Sequence, residues 1–420
     1  MSKLSVRDKK VIWHPFTQEK TAGTVIAAKK AEGCYIYDED GKAYLDLISS
    51  WWVNLHGHAH PEIARSIYEQ AMKLEHVIFA GFTHEPAVAL CEELAELLPP
   101  SLNRFFFSDN GSTAVEVALK MSYQYWCNQG QGDRKIFLSF EGGYHGDTFG
   151  AMSVGHTSKF HDAFKPLFFD VLSIPYPDTW EEDLDVEVKE QRALSSLDKY
   201  LDEKGKEIAA LILEPLVQGA SGMRMCRSSF INQVILRVRA KGILVIFDEV
   251  MTGFGRTGTN FALEQIDSKP DFLCLSKGIT GGFLPLALTV TTENIYSAFL
   301  HDEWKYAFAH GHSYTANPIA CAAAVTSLKL LKKTNLDAIN NAHKLGMSYL
   351  KERLPNIKHT RIIGTISAFE VDLAQKLKPK FLASGLLIRP LGNTIYLLPP
   401  YCITAGELNS AYEKMGSIFN

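Results

Sequence analysis

Short unbroken apolar runs alternate with longer stretches of helical periodicity through the middle of this chain. The runs lie at residues 104–108, 135–140, 208–213, 243–247, 272–276 and 284–290. Runs of this length without polar alternation are expected of strands buried on both faces, as in a mainly parallel sheet. Around them, apolar positions recur every three or four residues at 61–73, 86–98, 228–240 and 319–333, the stripe of a helix that packs on one side. A further helix is expected after Thr113, which has capping-box spacing to Glu116 and is followed by Ala114, Val117, Ala118 and Met121. Strands alternating with helices from residue 100 to 290 predict a doubly wound α/β fold.

The flanks are patterned differently. Residues 1–50 read as an arm and then two aromatic-rich runs, 34–37 and 43–47, joined by turn residues 38–41, which is a hairpin signal. Residues 174–206 are polar and include Pro175 and Pro177, so an excursion with a surface helix is expected there. From 335 to 420 the order is helix, strands, helix, a smaller α+β unit in which 388–400 reads as a hairpin with Arg389 at its turn.

With 46% hydrophobic and 21% charged residues over 420 positions, the composition is that of a globular protein. The net charge of −4 gives no long-range pull toward nucleic acid or an anionic membrane. Small molecules or a second copy of the chain are the expected partners. Cys34, Cys91, Cys127, Cys226, Cys274, Cys321 and Cys402 are scattered, with no Cys-x-x-Cys pair, which predicts a reducing compartment and neither a disulfide framework nor a zinc site. Residues 1–10 are charged rather than apolar, and no run approaches the ~20 residues of a spanning helix. A soluble, cytoplasmic protein is expected.

The apolar runs matter most for what ends them. The 208–213 run stops at Glu214, the 243–247 run at Asp248 and Glu249, and the 272–276 run at Lys277. Ligands of parallel α/β sheets collect at the carboxyl ends of strands, so an acid and a lysine at two such ends predict one crevice. The 104–108 strand leads through Gly111 into a helix N-terminus, where backbone N–H groups can meet an anion; a well-capped helix and nothing more is the plain alternative. The 135–140 strand leads to Gly142, Gly143 and Tyr144, and the tyrosine either offers an aromatic face to a ligand or closes the core. His56, His58 and His60 alternate as metal ligands on a strand would. No carboxylate or cysteine cluster accompanies them, and Pro61 with Glu62 starts a helix, so no metal is expected.

One cofactor needs all of these parts. Pyridoxal phosphate chemistry requires a lysine that forms a Schiff base and shuttles a proton, and a carboxylate that keeps the ring nitrogen protonated so that the ring is an electron sink. It also requires a helix N-terminus for the phosphate and an aromatic face for the ring. Lys277, Asp248, the turn Gly111, Ser112, Thr113, and Tyr144 supply these in order.

The motifs also resemble a known family. The stretch 247–258 (Phe-Asp-Glu-Val-Met-Thr-Gly-Phe-Gly-Arg-Thr-Gly), the segment 276–278 and the segment 214–219 resemble the class III, ω-type aminotransferases of pyridoxal-phosphate fold type I. Segments 12–17, 50–52, 144–148 and 389–396 are similar to the branch of that family that acts in biotin biosynthesis, and the resemblance spans essentially the whole chain. It implies a large cofactor-binding domain at 56–318 and a small α+β domain built from 1–55 and 319–420. It also implies a homodimer with its sites at the interface.

Carried over position by position, Lys277 is the Schiff-base lysine and Asp248 the partner of the ring nitrogen. Tyr144 stacks on the ring, and Gly111 and Ser112 hold the phosphate with Ser313 from the neighbouring subunit. Trp51, Asp147, Arg256, Gly311, Arg389 and Tyr396 line the substrate channel, Arg389 meeting a substrate carboxylate. The implied reaction converts 8-amino-7-oxononanoate to 7,8-diaminononanoate with S-adenosylmethionine as amino donor. Two positions depart from the best-known members: Phe16 stands in place of a tyrosine, removing a hydroxyl from the substrate side, and His312-Ser313 in place of Pro-Thr. The first keeps lysine open as an alternative donor. Other ω-aminotransferases, acting on ornithine or 4-aminobutyrate, share the chemistry but not the second set of segments. A dehydrogenase is disfavoured because no strand is followed by Gly-x-Gly-x-x-Gly.

Overall fold

A computed structural model describes residues 2–155 and 159–419. Its centre is a seven-stranded sheet in the order Leu102–Ser108, Ala287–Thr292, Phe272–Leu275, Leu244–Asp248, Ile208–Leu213, Ile136–Phe140, Val171–Ile174. The last five strands pair in parallel. Ala287–Thr292 is antiparallel to both of its neighbours, so the other six strands share one direction and one carboxyl edge.

Every residue of Ile208–Leu213, Leu244–Asp248 and Phe272–Leu275 is buried, which is why their sequences show no alternation. Helices cover both faces. Ala114, Val117 and Ala118 of the helix Gly111–Asn128 pack with Ile246 and Phe272 on one face. On the other, Leu197 of Val186–Lys204 and Ile231 and Val234 of Ser228–Ala240 pack with Leu211 and Val245.

The chain ends form two further sheets. Ala28–Glu32, Tyr35–Asp38 and Ala43–Asp46 make an antiparallel set, and Leu386–Leu387 joins Ala43–Asp46 in parallel. Lys358–Ile363, Ile366–Glu370 and Thr394–Leu397 form the other. The expected hairpin over 34–47 is present. The expected hairpin over 388–400 is reduced to a tight turn between Leu391 and Thr394: the strands before and after it, Leu386–Leu387 and Thr394–Leu397, belong to different sheets, and Arg389 precedes the turn. The excursion after residue 174 carries the expected helix, but the edge strand Val171–Ile174, only four residues long, was not anticipated. Among the described residues no helix is long and apolar enough to cross a membrane.

Candidate active site

The carboxyl edge of the sheet opens into a cavity of about 240 Å³ whose walls include Gly111, Ser112, Tyr144, Glu214, Asp248 and Lys277. They arrive from five strand ends, Gly111 and Ser112 sharing one, as the apolar runs predicted. Lys277 follows Phe272–Leu275 at the start of a short 3-10 turn, Lys277–Thr280, with its own backbone in the left-handed region at φ 46°. Its Nζ lies 4.6 Å from the ring centre of Trp52. Burial lowers the Lys277 pKa, against the opposing charges of Asp248 and Glu214. The amine is therefore shifted toward its neutral, nucleophilic form.

Asp248 is held from two sides: His145 Nδ1 lies 2.7 Å from Oδ2, and the Val250 amide donates to Oδ1 at 3.1 Å. Burial disfavours a charge on His145, yet the hydrogen bond and charge of Asp248, with help from Glu214, raise its pKa overall. Behind this pair Glu214 accepts the amides of Tyr144 at 3.1 Å and Gly219 at 3.0 Å. Burial pushes its pKa up to about 7, with His145 opposing and Asp248 reinforcing the shift.

The helix Gly111–Asn128 begins at the cavity. Its capping box uses Asn110 and Thr113, one turn earlier than the expected Thr113 and Glu116 pair. Glu116 instead accepts the amides of Gly150 at 2.6 Å and Ala151 at 3.2 Å, capping the next helix, Phe149–Val154. The amides of Gly111 and Ser112 thus stand at an open helix N-terminus, where an anion is favoured by partial charge and by unfilled donors. Ser112 Oγ accepts the Asp147 amide at 3.0 Å, which leaves the hydroxyl proton available to donate. The cradle has no room for side chains. A Cβ at Gly111 would lie 2.6 Å from Val250 Cγ1, and one at Gly146, where φ is +124°, would overlap Ser112 Oγ.

The outer wall comes from the chain ends. Trp52 donates from Nε1 to the Tyr396 hydroxyl at 3.1 Å, so Tyr396 stands one layer behind Trp52. Trp51 is 38% exposed, with the Arg389 guanidinium 4.3 Å from its ring centre and Phe16 packed edge-on at 5.5 Å. The Tyr144 hydroxyl donates to Asp147 at 2.9 Å. Asp147 also lines a neighbouring hollow of about 420 Å³ with Phe16, Phe149, Met152, His161 and Phe164.

The predicted residues therefore fall into four groups. Lys277, Asp248, Tyr144, Gly111 and Ser112 share one cavity, and Trp51, Asp147, Arg389 and Tyr396 lie around its outer side. Gly311 and Ser313 sit on an exposed loop and are not on this cavity's wall. Arg256, expected in the substrate channel, is only 1% exposed and donates to three backbone carbonyls: Pro399 at 3.0 Å, Asn54 at 3.1 Å and Trp52 at 3.4 Å. It braces the outer wall and does not face the cavity.

The three alternating histidines have separate polar partners: His56 bonds Ser327, His58 bonds Asp46, and His60, its ring 6.2 Å from that of His56, precedes a helix. Sequence reasoning gave no role to His145 or Trp52, although both adjoin residues that it singled out. The signal lay in the segments 144–148 and 50–52 as wholes rather than in one residue of each.

Comparisons with known proteins agree with this geometry. The sequence model of the family Aminotransferase class-III matches residues 16–419. The chain is 49% identical to the adenosylmethionine-8-amino-7-oxononanoate aminotransferase of Synechococcus elongatus, over 97% of this chain and 98% of that protein. It is 42% identical to the Helicobacter pylori protein of the same name, over 99% and 98%. Among solved structures, that of the Methanocaldococcus jannaschii protein of this name superposes with a TM-score of 0.90 at 36% identity, covering 99% of this chain and 98% of that one.

Proposed function

The chain belongs to the class-III aminotransferases, and from that premise we propose that it aminates 8-amino-7-oxononanoate to 7,8-diaminononanoate in biotin biosynthesis, with S-adenosylmethionine as donor. The observation that carries this reading is the meeting of Lys277, Asp248 and the Gly111–Ser112 helix start in one cavity, in a chain similar over its full length to enzymes named for that reaction.

The residues present fit pyridoxal phosphate. An unfilled helix N-terminus, a cradle that only glycines leave open and a lysine shifted toward neutrality match its phosphate, its bulk and its aldehyde. When bound, the cofactor supplies an electron sink for the carbon that gives up its proton. Gly111 and Ser112 would hold the phosphate and Tyr144 would cover the ring. Asp248, fixed by His145 and the Val250 amide, keeps the proton on the ring nitrogen. Lys277 would be the point of covalent attachment, and its Nζ would carry the proton to and from the reacting carbon. Arg389 binds the substrate carboxylate as a fork, with Trp51 and the Trp52–Tyr396 pair shaping the channel. Gly311 and Ser313 complete the site of a neighbouring subunit in a cytoplasmic homodimer. Residues 56–318 form the cofactor domain, and 1–55 with 319–420 the small domain.

The Asp147 hollow favours the donor. Three phenylalanine faces and one carboxylate suit an amine that is both cationic and aromatic, as S-adenosylmethionine is. Lysine is the second reading, because Phe16 brings no hydroxyl to this hollow. Offering S-adenosylmethionine, lysine, ornithine and 4-aminobutyrate separately to the cofactor-loaded protein, and following the cofactor's visible spectrum, tests the assignment. Conversion by S-adenosylmethionine is expected; conversion by neither of the first two overturns the narrow reading. Lys277→Ala should abolish turnover and the visible absorption that depends on the lysine linkage.

A further inference from the structure

Two thiols outside the cavity are placed in a way that the aminotransferase reaction does not use. Cys34 and Cys402 are 368 positions apart in sequence, yet their Sγ atoms are 3.2 Å apart and both are free. From this geometry we propose that Cys34 and Cys402 are an oxidisable dithiol, closed to a disulfide by a peroxide, that joins the N-terminal sheet to the C-terminal segment.

A disulfide holds its sulfurs at about 2.05 Å, so the 3.2 Å pair must close by about 1.2 Å. The Cys402 sulfur is closely packed. Gly57 has φ +92°, and a Cβ there would lie 2.6 Å from Cys402 Sγ and 3.1 Å from Gly33 Cα. Cys402 Sγ thus occupies space that only a glycine leaves, wedged against Cys34. The backbone on both sides is already tied down. The Asp46 amide donates to the Cys34 carbonyl at 2.7 Å, Tyr401 to Leu55 at 2.6 Å, and Ile403 to Pro400 at 3.1 Å.

The pair is also asymmetric in access, as a peroxide reaction requires. Cys34 is buried and Cys402 is exposed. The hydrogen bond from Cys34 lowers the Cys402 pKa, while the same contact and burial raise that of Cys34. Cys402 is therefore the sulfur that oxidant meets first, and Cys34 the thiol that resolves.

In the first step the Cys402 sulfur attacks one oxygen of hydrogen peroxide. The O–O bond breaks, and the departing hydroxide takes up the proton that Cys402 had released, giving water and a sulfenic acid. In the second, the Cys34 sulfur attacks the Cys402 sulfur, the S–O bond breaks, and hydroxide leaves with the Cys34 proton as a second water. Two thiols are oxidised by two electrons and one peroxide is reduced. The link closes a very long loop, which restricts the unfolded chain. It also fastens residue 402 to the turn between the strands Ala28–Glu32 and Tyr35–Asp38.

The test is stepwise hydrogen peroxide on the full-length cofactor-loaded protein, followed by alkylation, proteolysis and mass spectrometry. A Cys34–Cys402 linked peptide pair, lighter by two hydrogens than its separate halves and released by dithiothreitol, is expected, together with a rise of several degrees in melting temperature that dithiothreitol reverses. Cys402→Ser, an exposed position outside the proposed catalytic machinery, should keep basal activity and lose both the link and the rise. The proposal is overturned by sulfinic or sulfonic acid at Cys402 with Cys34 still alkylatable. It is equally overturned if peroxide links other cysteines instead, or if the melting temperature responds the same way in Cys402→Ser.

Discussion

Arg256→Lys separates a brace from a substrate contact. The guanidinium places two nitrogens on carbonyls that lie on different segments, Nη1 on Pro399 at 3.0 Å and Nη2 on Asn54 at 3.1 Å, with Trp52 more distant at 3.4 Å. A lysine keeps the buried charge, so the desolvation that already lowers the pKa of Arg256 is not relieved. Its single nitrogen reaches one of the two well-made sites. The variant therefore loses about one hydrogen bond from a charged donor, roughly 1.5–3 kcal/mol, and strands a buried carbonyl. At about 2.1 cal/mol/K of unfolding entropy per residue, the 420 residues turn that loss into a melting temperature lower by about 2–3 °C. Differential scanning calorimetry of the cofactor-free protein reads the shift without interference from binding. Arg389→Lys is the counterpart. Arg389 rests on Trp51 with its guanidinium partly exposed, so losing a bidentate carboxylate clamp should raise KM for the keto acid about 10–100-fold, the equivalent of roughly 1.4–2.8 kcal/mol, at unchanged melting temperature. The reasoning fails if Arg256→Lys leaves the melting temperature unmoved and raises KM as Arg389→Lys does.

Other consequences follow from the same geometry. Gly146→Ala forces a side chain onto Ser112 Oγ at a backbone angle that disfavours one, a strain of about 1–3 kcal/mol; equilibrium dialysis should show pyridoxal phosphate bound about tenfold or more weakly, and unchanged affinity would contradict the cradle. Glu214 has a folded-state pKa raised to about 7 from 4.5, so its contribution favours the fold below about 4.5 and is lost as pH rises through about 7. In cofactor-free Glu214→Gln the fall in stability across that window should flatten, and an unaltered slope in urea titrations at successive pH values would count against the assignment. Trp52→Leu removes the ring beside Lys277 Nζ, a contact that favours the charged amine by about 0.5–2 kcal/mol. The free amine should then lose its proton at lower pH, read from the pH dependence of its chemical modification in the cofactor-free protein; a higher pKa would refute the cation–π reading.

The parts of the site that could be read in the sequence share one physical cause. A parallel strand buried on both faces is a contiguous apolar run, so its end is visible wherever a charged residue interrupts, and Glu214, Asp248 and Lys277 each do so. What could not be read depends on contacts between distant positions. Arg256 stands among glycines and threonines that say nothing about direction, and its partners lie 143 to 204 positions away. The capping register failed for a related reason. Asn110 and Thr113 have the same spacing as Thr113 and Glu116, and Glu116 has its partners on the helix that starts at Phe149, beyond the reach of a local motif. The 388–400 segment looked like a hairpin because a turn does lie there, between Leu391 and Thr394; the strands before and after it, Leu386–Leu387 and Thr394–Leu397, are drawn into different sheets by residues 43–46 and 366–370.

The Ser49–Trp52 turn shows why such distant contacts are required at all. Ser49, Ser50, Trp51 and Trp52 have φ of 49°, 46°, 74° and 73°, four successive left-handed residues without a glycine. At about 1–2 kcal/mol each, that conformation costs roughly 4–8 kcal/mol relative to right-handed backbone. The surroundings hold it in place. Asp46, fully buried, accepts the Ser50 hydroxyl at 2.7 Å and the Ile48 amide at 3.2 Å and meets His58 at 3.0 Å, while Ser49 donates to the Leu398 carbonyl at 2.7 Å. Hydrogen bonds to a charged acceptor contribute about 1.5–3 kcal/mol apiece, so these few are of the size needed to offset the strain. The geometry gained is a pair of adjacent indoles with different neighbours. Trp52 turns inward to Lys277 and Tyr396, and Trp51 outward to Arg389 and Phe16. A right-handed turn would carry the two rings around the axis in the opposite sense, so the backbone strain is what sets Lys277 and Arg389 against two neighbouring side chains of one turn. Arg256, bonded to the carbonyls of Trp52 and Asn54, closes that turn from below, and this is why a residue that never faces the cavity belongs to the site's construction.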